Sequence, residues 1–493
     1  MPVDRRGFIK FSIAGAAAIA RRHSRSDASG FRPGMAAFNG NGLDEIPPPR
    51  GLKVSANHRF LMDAQSGNPF FLLTDTAWNI NALTYQDIDL YLRNRHAHGF
   101  SAFMFTLNFY PQAQEANRYG QKAYVGTDHT TLDPRYFEYC DYIIRTAAKY
   151  RLYAMVFAMW GGKKSGTMNR YTVSQLHTIG LRLGERLKRH DNVILVAGGE
   201  SSPPYIGVTY VNAIGSGLKA GCDGKHLVSV HPCGNRSDSE FYSRSPWLDF
   251  YMIQGSSSRH GRHYDMTKLI THDYNIKAVK PTMIAENYYD SGTTQPPVLQ
   301  RRGLYLSVFA GAFGCAYGHD ALWQMSPHTA QRWMLEGFPP GVQNWKNALN
   351  TAAVKPLHFI RKLLYSRPYF TRIPDQSIIL AGQGKSIADR VQATRDGTPE
   401  RHDATYLMAY AAAPTDIMLH TGVIPAQRLN VWRFNPATGT TAVIGKNLVN
   451  TGELAVNKIP GEGDTVIIVD NADKHYLPPQ SCAIQMLVVA GGQ

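Results

Sequence analysis

From about Phe60 onward the chain alternates short apolar runs with longer amphipathic stretches. The runs Phe70–Thr74, Ala102–Thr106, Tyr153–Phe157, Val193–Ala197, Leu227–Val230, Leu248–Ile253, Thr282–Ala285 and Gly314–Tyr317 are rich in aliphatic and aromatic residues and predict eight strands. Most of the intervening stretches have helical spacing. In Val173–Arg189, Leu176, Ile179, Leu183 and Leu187 share one face, while Arg182, Glu185, Arg186 and Arg189 point outward. Strands alternating with helices imply parallel pairing. Eight such units predict a (β/α)8 TIM barrel over residues 51–365. No Gly-x-Gly-x-x-Gly turn follows the first strand, which argues against an open dinucleotide-binding sheet. After about Tyr365 the texture changes to short runs broken by Gly, Pro and Asn: Ser377–Leu380, Thr405–Tyr410, Leu429–Phe434, Thr440–Ile444, Thr465–Val469 and Cys482–Val489. This pattern predicts an all-β sandwich over residues 366–493.

The composition agrees with two large folded units: 493 residues, 43% hydrophobic and 18% charged, enough apolar material for sizeable cores. Lys and Arg number 52 against 37 Asp and Glu, a net charge of +15, but the bases are scattered. That balance suits an anionic polysaccharide or a cell surface better than nucleic acid. At the start, Arg5-Arg6 followed by Phe8-Ile9-Lys10 and the apolar stretch Phe11–Ala20 resembles a twin-arginine export signal over residues 1–20. The apolar stretch is too short to span a bilayer. A linker rich in Arg, Ser, Gly and Pro follows over residues 21–50. The expectation is a periplasmic or extracellular protein without stable membrane insertion. The five cysteines, Cys140, Cys222, Cys233, Cys315 and Cys482, are widely spaced with no Cys-x-x-Cys pair, so they suggest neither a disulfide framework nor a zinc site. No metal or other cofactor is expected, and Arg259-His260-Gly261-Arg262-His263 reads as a solvated loop.

Active groups of a barrel sit where the strands end, and those ends are polar here. Glu200 and Glu286 close strands four and seven, on opposite sides of the mouth. Carboxylates so placed can flank a glycosidic bond, one donating a proton to the leaving oxygen, the other attacking the anomeric carbon. Trp78, Trp160, Tyr288 and Trp323 offer flat faces to a sugar ring. Asp75, Asn108, His231 and Gln254 offer partners for its hydroxyls. His319, at the end of strand eight, is a further candidate ligand contact.

At this point the sequence resembles a family of secreted bacterial glycosidases, the apiosidase-like proteins, whose C-terminal module carries a collagen-binding label. The resemblance rests on Thr74-Asp75-Thr76-Ala77-Trp78, Leu132-Asp133-Pro134-Arg135-Tyr136-Phe137, Gly198-Gly199-Glu200, His231-Pro232, Trp247-Leu248-Asp249-Phe250, Lys280-Pro281 leading to Glu286, Tyr317-Gly318-His319 and Trp323-Gln324. In the tail it rests on the turn from Trp432 through Asn435-Pro436-Ala437-Thr438-Gly439. It implies a barrel hydrolase with Glu200 as general acid/base and Glu286 as nucleophile, acting on apiosides or a related plant-type glycoside. Two departures stand out. Glu200 takes the place of the Asp usual in the family's Gly-Gly-Asp motif, and the family's Glu-x-x-Tyr-Glu becomes Glu286-Asn287-Tyr288-Tyr289-Asp290. The competing expectation is a catalytically inactive carbohydrate-binding or adhesion protein on the same scaffold.

Overall fold

A computed structural model of the chain describes residues 46–108, 116–161, 167–255, 265–290, 296–325, 344–459, 461 and 463–479. The twin-arginine segment, most of the linker, the Arg259–His263 loop and the strand expected at Cys482–Val489 lie outside the described residues.

Eight parallel strands form the barrel: β1 (Leu72–Thr76), β2 (Ala102–Thr106), β3 (Tyr153–Phe157), β4 (Val193–Val196), β5 (Val228–Ser229), β6 (Tyr251–Gln254), β7 (Thr282–Glu286) and β8 (Gly314–His319). Their order in the sheet is β5-β4-β3-β2-β1-β8-β7-β6. The β5–β6 seam is closed by Asp249 N donating to Val228 O at 2.9 Å and Ser229 Oγ donating to Phe250 O at 2.8 Å. The helices are α1 (Tyr85–Ala97), α2 (Pro134–Lys149), α3 (Val173–Leu187), α4 (Val208–Gly221), α5 (Ser239–Tyr242), α6 (Met266–Asn275), α7 (Val298–Phe309), α8 (Asp320–Gln324) and α9 (Phe359–Tyr365). β1 begins two residues later than its apolar run. Pro69–Phe70 instead pairs with Leu61–Met62 in a separate antiparallel sheet.

Local chemistry sets the helix ends. Thr172 and Gln175 close a capping box at the start of α3, and Asp133 caps α2 with Pro134 at its first position. The apolar face read from the sequence, Leu176, Ile179, Leu183 and Leu187, is buried. Beside it, Gly180 and Gly184 face Gly217 and Gly221 of α4, where an added Cβ would lie 2.1–2.6 Å from the backbone of the other helix. These close approaches fix the two helices that flank β4.

The C-terminal strands are β9 (Ile373–Pro374), β10 (Ile379–Ala381), β11 (Val391–Arg395), β12 (Tyr406–Ala411), β13 (Ile417–His420), β14 (Arg428–Phe434), β15 (Thr441–Val449), β16 (Glu453–Val456) and β17 (Thr465–Asn471). They form an antiparallel six-stranded sheet, β9-β11-β12-β17-β14-β15, facing a three-stranded one, β10-β13-β16. Alternate residues of the large sheet divide between two cores. Leu407, Ala409, Val431, Ile467 and Val469 pack inside the sandwich. Tyr406, Met408, Tyr410, Trp432, Phe434, Val466 and Ile468 join the core of the barrel. Tyr410 stacks on Tyr305 of α7 with ring centroids 5.0 Å apart. Arg301 of α7 pairs with Asp464, a carboxylate that also accepts from the Tyr410 hydroxyl. The β module therefore braces the helix that follows β7, the strand carrying Glu286.

The four described cysteines, Cys140, Cys222, Cys233 and Cys315, are buried thiols. No helix among the described residues is long and apolar enough to cross a membrane.

Candidate active site

β7 carries one extra residue where it reaches the mouth. Ile253 pairs with Ile284 but Gln254 pairs with Glu286, so Ala285 is a bulge. Such a bulge re-aims the residue that follows it, and here it places Glu286 directly opposite Gln254. The Gln254 amide donates to Glu286 Oε2. Glu286 is 7% exposed.

Two more groups reach the same carboxylate. The Tyr289 hydroxyl is hydrogen-bonded to Glu286 and accepts from the Trp78 indole N–H at 3.2 Å. Burial first, and then the Glu286 charge, hold its phenol well above the usual range, so it remains a donor. His231 Nε2 lies 3.8 Å from Glu286 Oε2. Its other nitrogen, Nδ1, sits 3.0 Å from the Pro232 carbonyl, and since a carbonyl only accepts, Nδ1 carries the proton. Burial lowers the pKa of this imidazole to about 4, so it is neutral at neutral pH. Nε2 is then a buried acceptor beside Glu286, with no hydrogen-bond partner among the described residues.

The aromatic wall is built by Trp78 and Trp160, ring centroids 5.1 Å apart and edge to face. Both also pack on the His231 ring, at 5.7 and 6.2 Å. Trp160 bridges to Gly199 in parallel register. A Cβ at Gly199 would stand 2.2 Å from the indole, so only glycine lets the ring lie against the backbone just before Glu200. Glu200 itself has φ 45°, a left-handed conformation rare for a non-glycine residue and commonest at functional turns. The turn is pinned by Ser201 N to His231 O at 2.9 Å and His231 N to Gly198 O at 3.0 Å.

Trp78, Trp160, His231, Gln254 and Glu286 thus converge, with Glu200 on the adjoining β4 turn. Asp75 does not join them. One step along β1 it faces the helix layer, where its carboxylate accepts from Tyr91 at 2.7 Å and pairs with Arg95 at 3.1 Å, with both side chains of the ion pair wholly buried. Tyr288 is also turned away, its buried phenol lying in the field of Asp265, Arg302 and Arg390. His319 caps α8, Nδ1 accepting from Ala321 N at 3.0 Å, and burial lowers its pKa to about 4. Trp323 sits at the β8–β1 seam, its carbonyl accepting from Asn79 N. Asn108 lines a neighbouring cavity beyond Trp160. The residue that the sequence reading missed is Tyr289. Asn287 is tied to Gln300 of α7, which ends the regular alternation of β7. The chain then rejoins the sheet with Tyr289 opposite Gly318 of β8.

The family model "Apiosidase-like, catalytic domain" matches residues 55–371. The chain belongs to the apiosidase-like family. A second model, "Putative collagen-binding domain of a collagenase", matches residues 373–470. No curated protein matches the chain. Among solved structures, one titled "Glycoside hydrolase" is 28% identical, with a TM-score of 0.75 over 88% of this chain and 99% of its own. A glycoside hydrolase family 5 structure from Bacteroides vulgatus has the same fold, at 24% identity and TM-score 0.74, covering 87% of this chain and 95% of its own. This apiosidase-like chain is accordingly a glycoside hydrolase. Its departure at Asp290 has a structural role, the carboxylate accepting from Tyr317 at 2.9 Å and Thr351 at 2.7 Å outside the mouth.

Proposed function

We propose that this chain is an exported hydrolase of apiosides or a related plant-type glycoside, retaining anomeric configuration, with Glu286 as nucleophile and Glu200 as general acid/base. The observation that carries the reading is the setting of Glu286. It is a buried carboxylate at the end of β7, held by Gln254 and Tyr289 and walled by two tryptophans. Fixed donors orient the attacking oxygen and relieve the cost of keeping it ionised away from water. Glu200, on the turn after β4, protonates the leaving oxygen and then takes a proton from the attacking water. His231 Nε2 accepts a sugar hydroxyl, while Trp78 and Trp160 cover the apolar face of the ring. The N-terminal segment that resembles a twin-arginine signal supports export to where such glycosides occur.

The test is a panel of 4-nitrophenyl glycosides of pentoses and hexoses, furanose and pyranose, with Glu200→Gln and Glu286→Gln beside the parent. Each variant should lower turnover by at least about a thousandfold with an unchanged melting temperature. Parent-like activity in both would refute the assignment.

A further inference from the structure

Among the described residues, the large exposed aromatics are Tyr85, Tyr119 and Tyr205. The first two lie against each other. Their rings stack with centroids 5.4 Å apart and planes at 26°, and the residues are 39% and 47% exposed. Tyr139 and Tyr142 of α2 support the stack: Tyr142 meets the Tyr85 ring edge to face at 4.5 Å, and Tyr139 meets the two rings at 5.5 and 5.6 Å. The main chain pins the cluster. The Tyr139 hydroxyl donates to Leu83 O at 2.7 Å, the Tyr142 hydroxyl to Tyr85 O at 3.2 Å, and Arg118 N to Asn81 O at 2.8 Å. Rings held in this way lose little freedom when a ligand arrives.

The cluster lies on the mouth side of the barrel. Tyr85 opens α1, seven residues after Trp78, and Tyr119 lies in the connection from β2 to α2. Both segments begin where barrel strands end, at the face that carries Glu286.

Exposed apolar patches mark binding surfaces, and size decides what fits. With roughly 150–250 Å² for a whole aromatic side chain, the two exposed fractions offer roughly 130–210 Å². A specific protein interface needs about 800 Å² from each partner. The surroundings are polar, with Gln86, Arg118 and Glu138 all exposed. The Glu138 charge acts on Tyr85 and that of Arg118 on Tyr139. A small flat phenol surface beside N–H donors and a carboxylate suits the C–H face and the hydroxyls of a sugar ring.

We infer that Tyr85 and Tyr119 form a second glycan-binding site, outside the catalytic mouth, which takes a ring of a polysaccharide chain and keeps the hydrolase on polymeric substrate. This rests on the chain being a glycoside hydrolase and not on the roles of Glu200 and Glu286.

The experiment uses the full chain and agarose beads coupled to arabinoxylan, glucomannan or pectin, with uncoupled beads as control. Sodium chloride at about 0.5 M screens the net charge of +15. The protein should bind at least one polymer, and Tyr119→Ala and Tyr85→Ala should each weaken that binding at least about tenfold. Tyr119→Phe, which keeps the ring, should stay within about threefold. All three variants should keep kcat/KM on 4-nitrophenyl glycosides within about twofold. Melting temperatures show which alanine variants are folded, and either one that is folded decides. Binding to none of the polymers, or binding untouched in a folded alanine variant, would overturn the site and leave the hydrolase reading intact. Aryl activity lost in a folded alanine variant would place the rings in the mouth and overturn the site as well.

Discussion

Asp470 and Glu286 are both buried carboxylates at the ends of strands, and their surroundings differ in kind. Asp470, on β17, is closed in by the Arg367 guanidinium at 2.6 and 2.8 Å and by the Trp432 indole N–H at 2.7 Å. Glu286 meets an amide, a phenol and a neutral imidazole. A charge locked to an arginine holds two parts of a chain together, because removing either partner leaves the other buried and unpaired. A charge steadied by neutral donors stays oriented without being neutralised, which is what an attacking group requires. The same contrast separates Asp75, paired with Arg95 behind β1, from the residues at the mouth. In this barrel, Asp470 and Asp75 fasten the fold through arginine, and the proposed nucleophile is steadied by a glutamine amide and a tyrosine hydroxyl.

Four measurements would break or sharpen that contrast. Glu286→Gln has the largest expected effect, turnover falling by at least about a thousandfold with stability kept. Asp470→Asn should do the reverse. It should cost about 3–5 kcal/mol in urea unfolding by stranding Arg367, with kcat of the folded fraction unchanged. Loss of activity without loss of stability there would undo the comparison.

The third concerns pH. Burial depresses His226, His231, His319 and His358 to about 4. A histidine whose folded pKa lies below its unfolded value binds a proton more readily when unfolded. The stability it leaves intact above pH 6.5 is lost as pH falls toward 4, on the order of 3 kcal/mol for each group. Asp273, raised to about 6 by burial, works in the opposite sense. Its folded form holds the proton, so it favours folding as pH falls from 6 to 4. Burial raises Asp75, Asp238 and Asp470 as well, in the same sense as Asp273, so the histidine part of the slope of the urea midpoint between pH 6.5 and 4 is read from a single variant. His226→Gln should flatten the slope, since the amide can still donate to the Leu187 carbonyl that the ring meets. An unchanged slope would mean that His226 is not buried as described.

The smallest effect is expected of Tyr289→Phe. Removing one donor from Glu286 should lower kcat/KM about 10- to 30-fold. It should also move the acid limb of the pH profile upward, because the carboxylate loses a bond that favours its charged form. A uniform loss with no shift of that limb would reduce Tyr289 to packing.

Much of this was legible from residue patterns, for identifiable reasons. Barrel strands are buried on both faces, so they appear as continuous apolar runs, and Ala102–Thr106 and Tyr153–Phe157 form strands over the residues those runs predict. The same property hides which way a strand residue points, which is why Asp75 read as a mouth residue when it serves the helix layer. The bulge at Ala285 left no mark in the sequence, so Tyr288 drew attention that belonged to Tyr289. In the β module, Val391–Arg395 escaped notice because Gln392, Thr394 and Arg395 are buried polar residues in an apolar position. Ile417–His420 and Glu453–Val456 are too short to stand out from the turns around them.

The central claim is that Glu286 forms a bond to the sugar. Incubating the parent enzyme with the 2-deoxy-2-fluoro glycosyl fluoride of the accepted sugar slows release of the covalent intermediate and lets intact mass and peptide mapping find it. The account predicts one fluorosugar per chain, on the peptide containing Glu286, and none on Glu286→Gln. Turnover of the fluorosugar with no adduct, or an adduct on a peptide without Glu286, would contradict it.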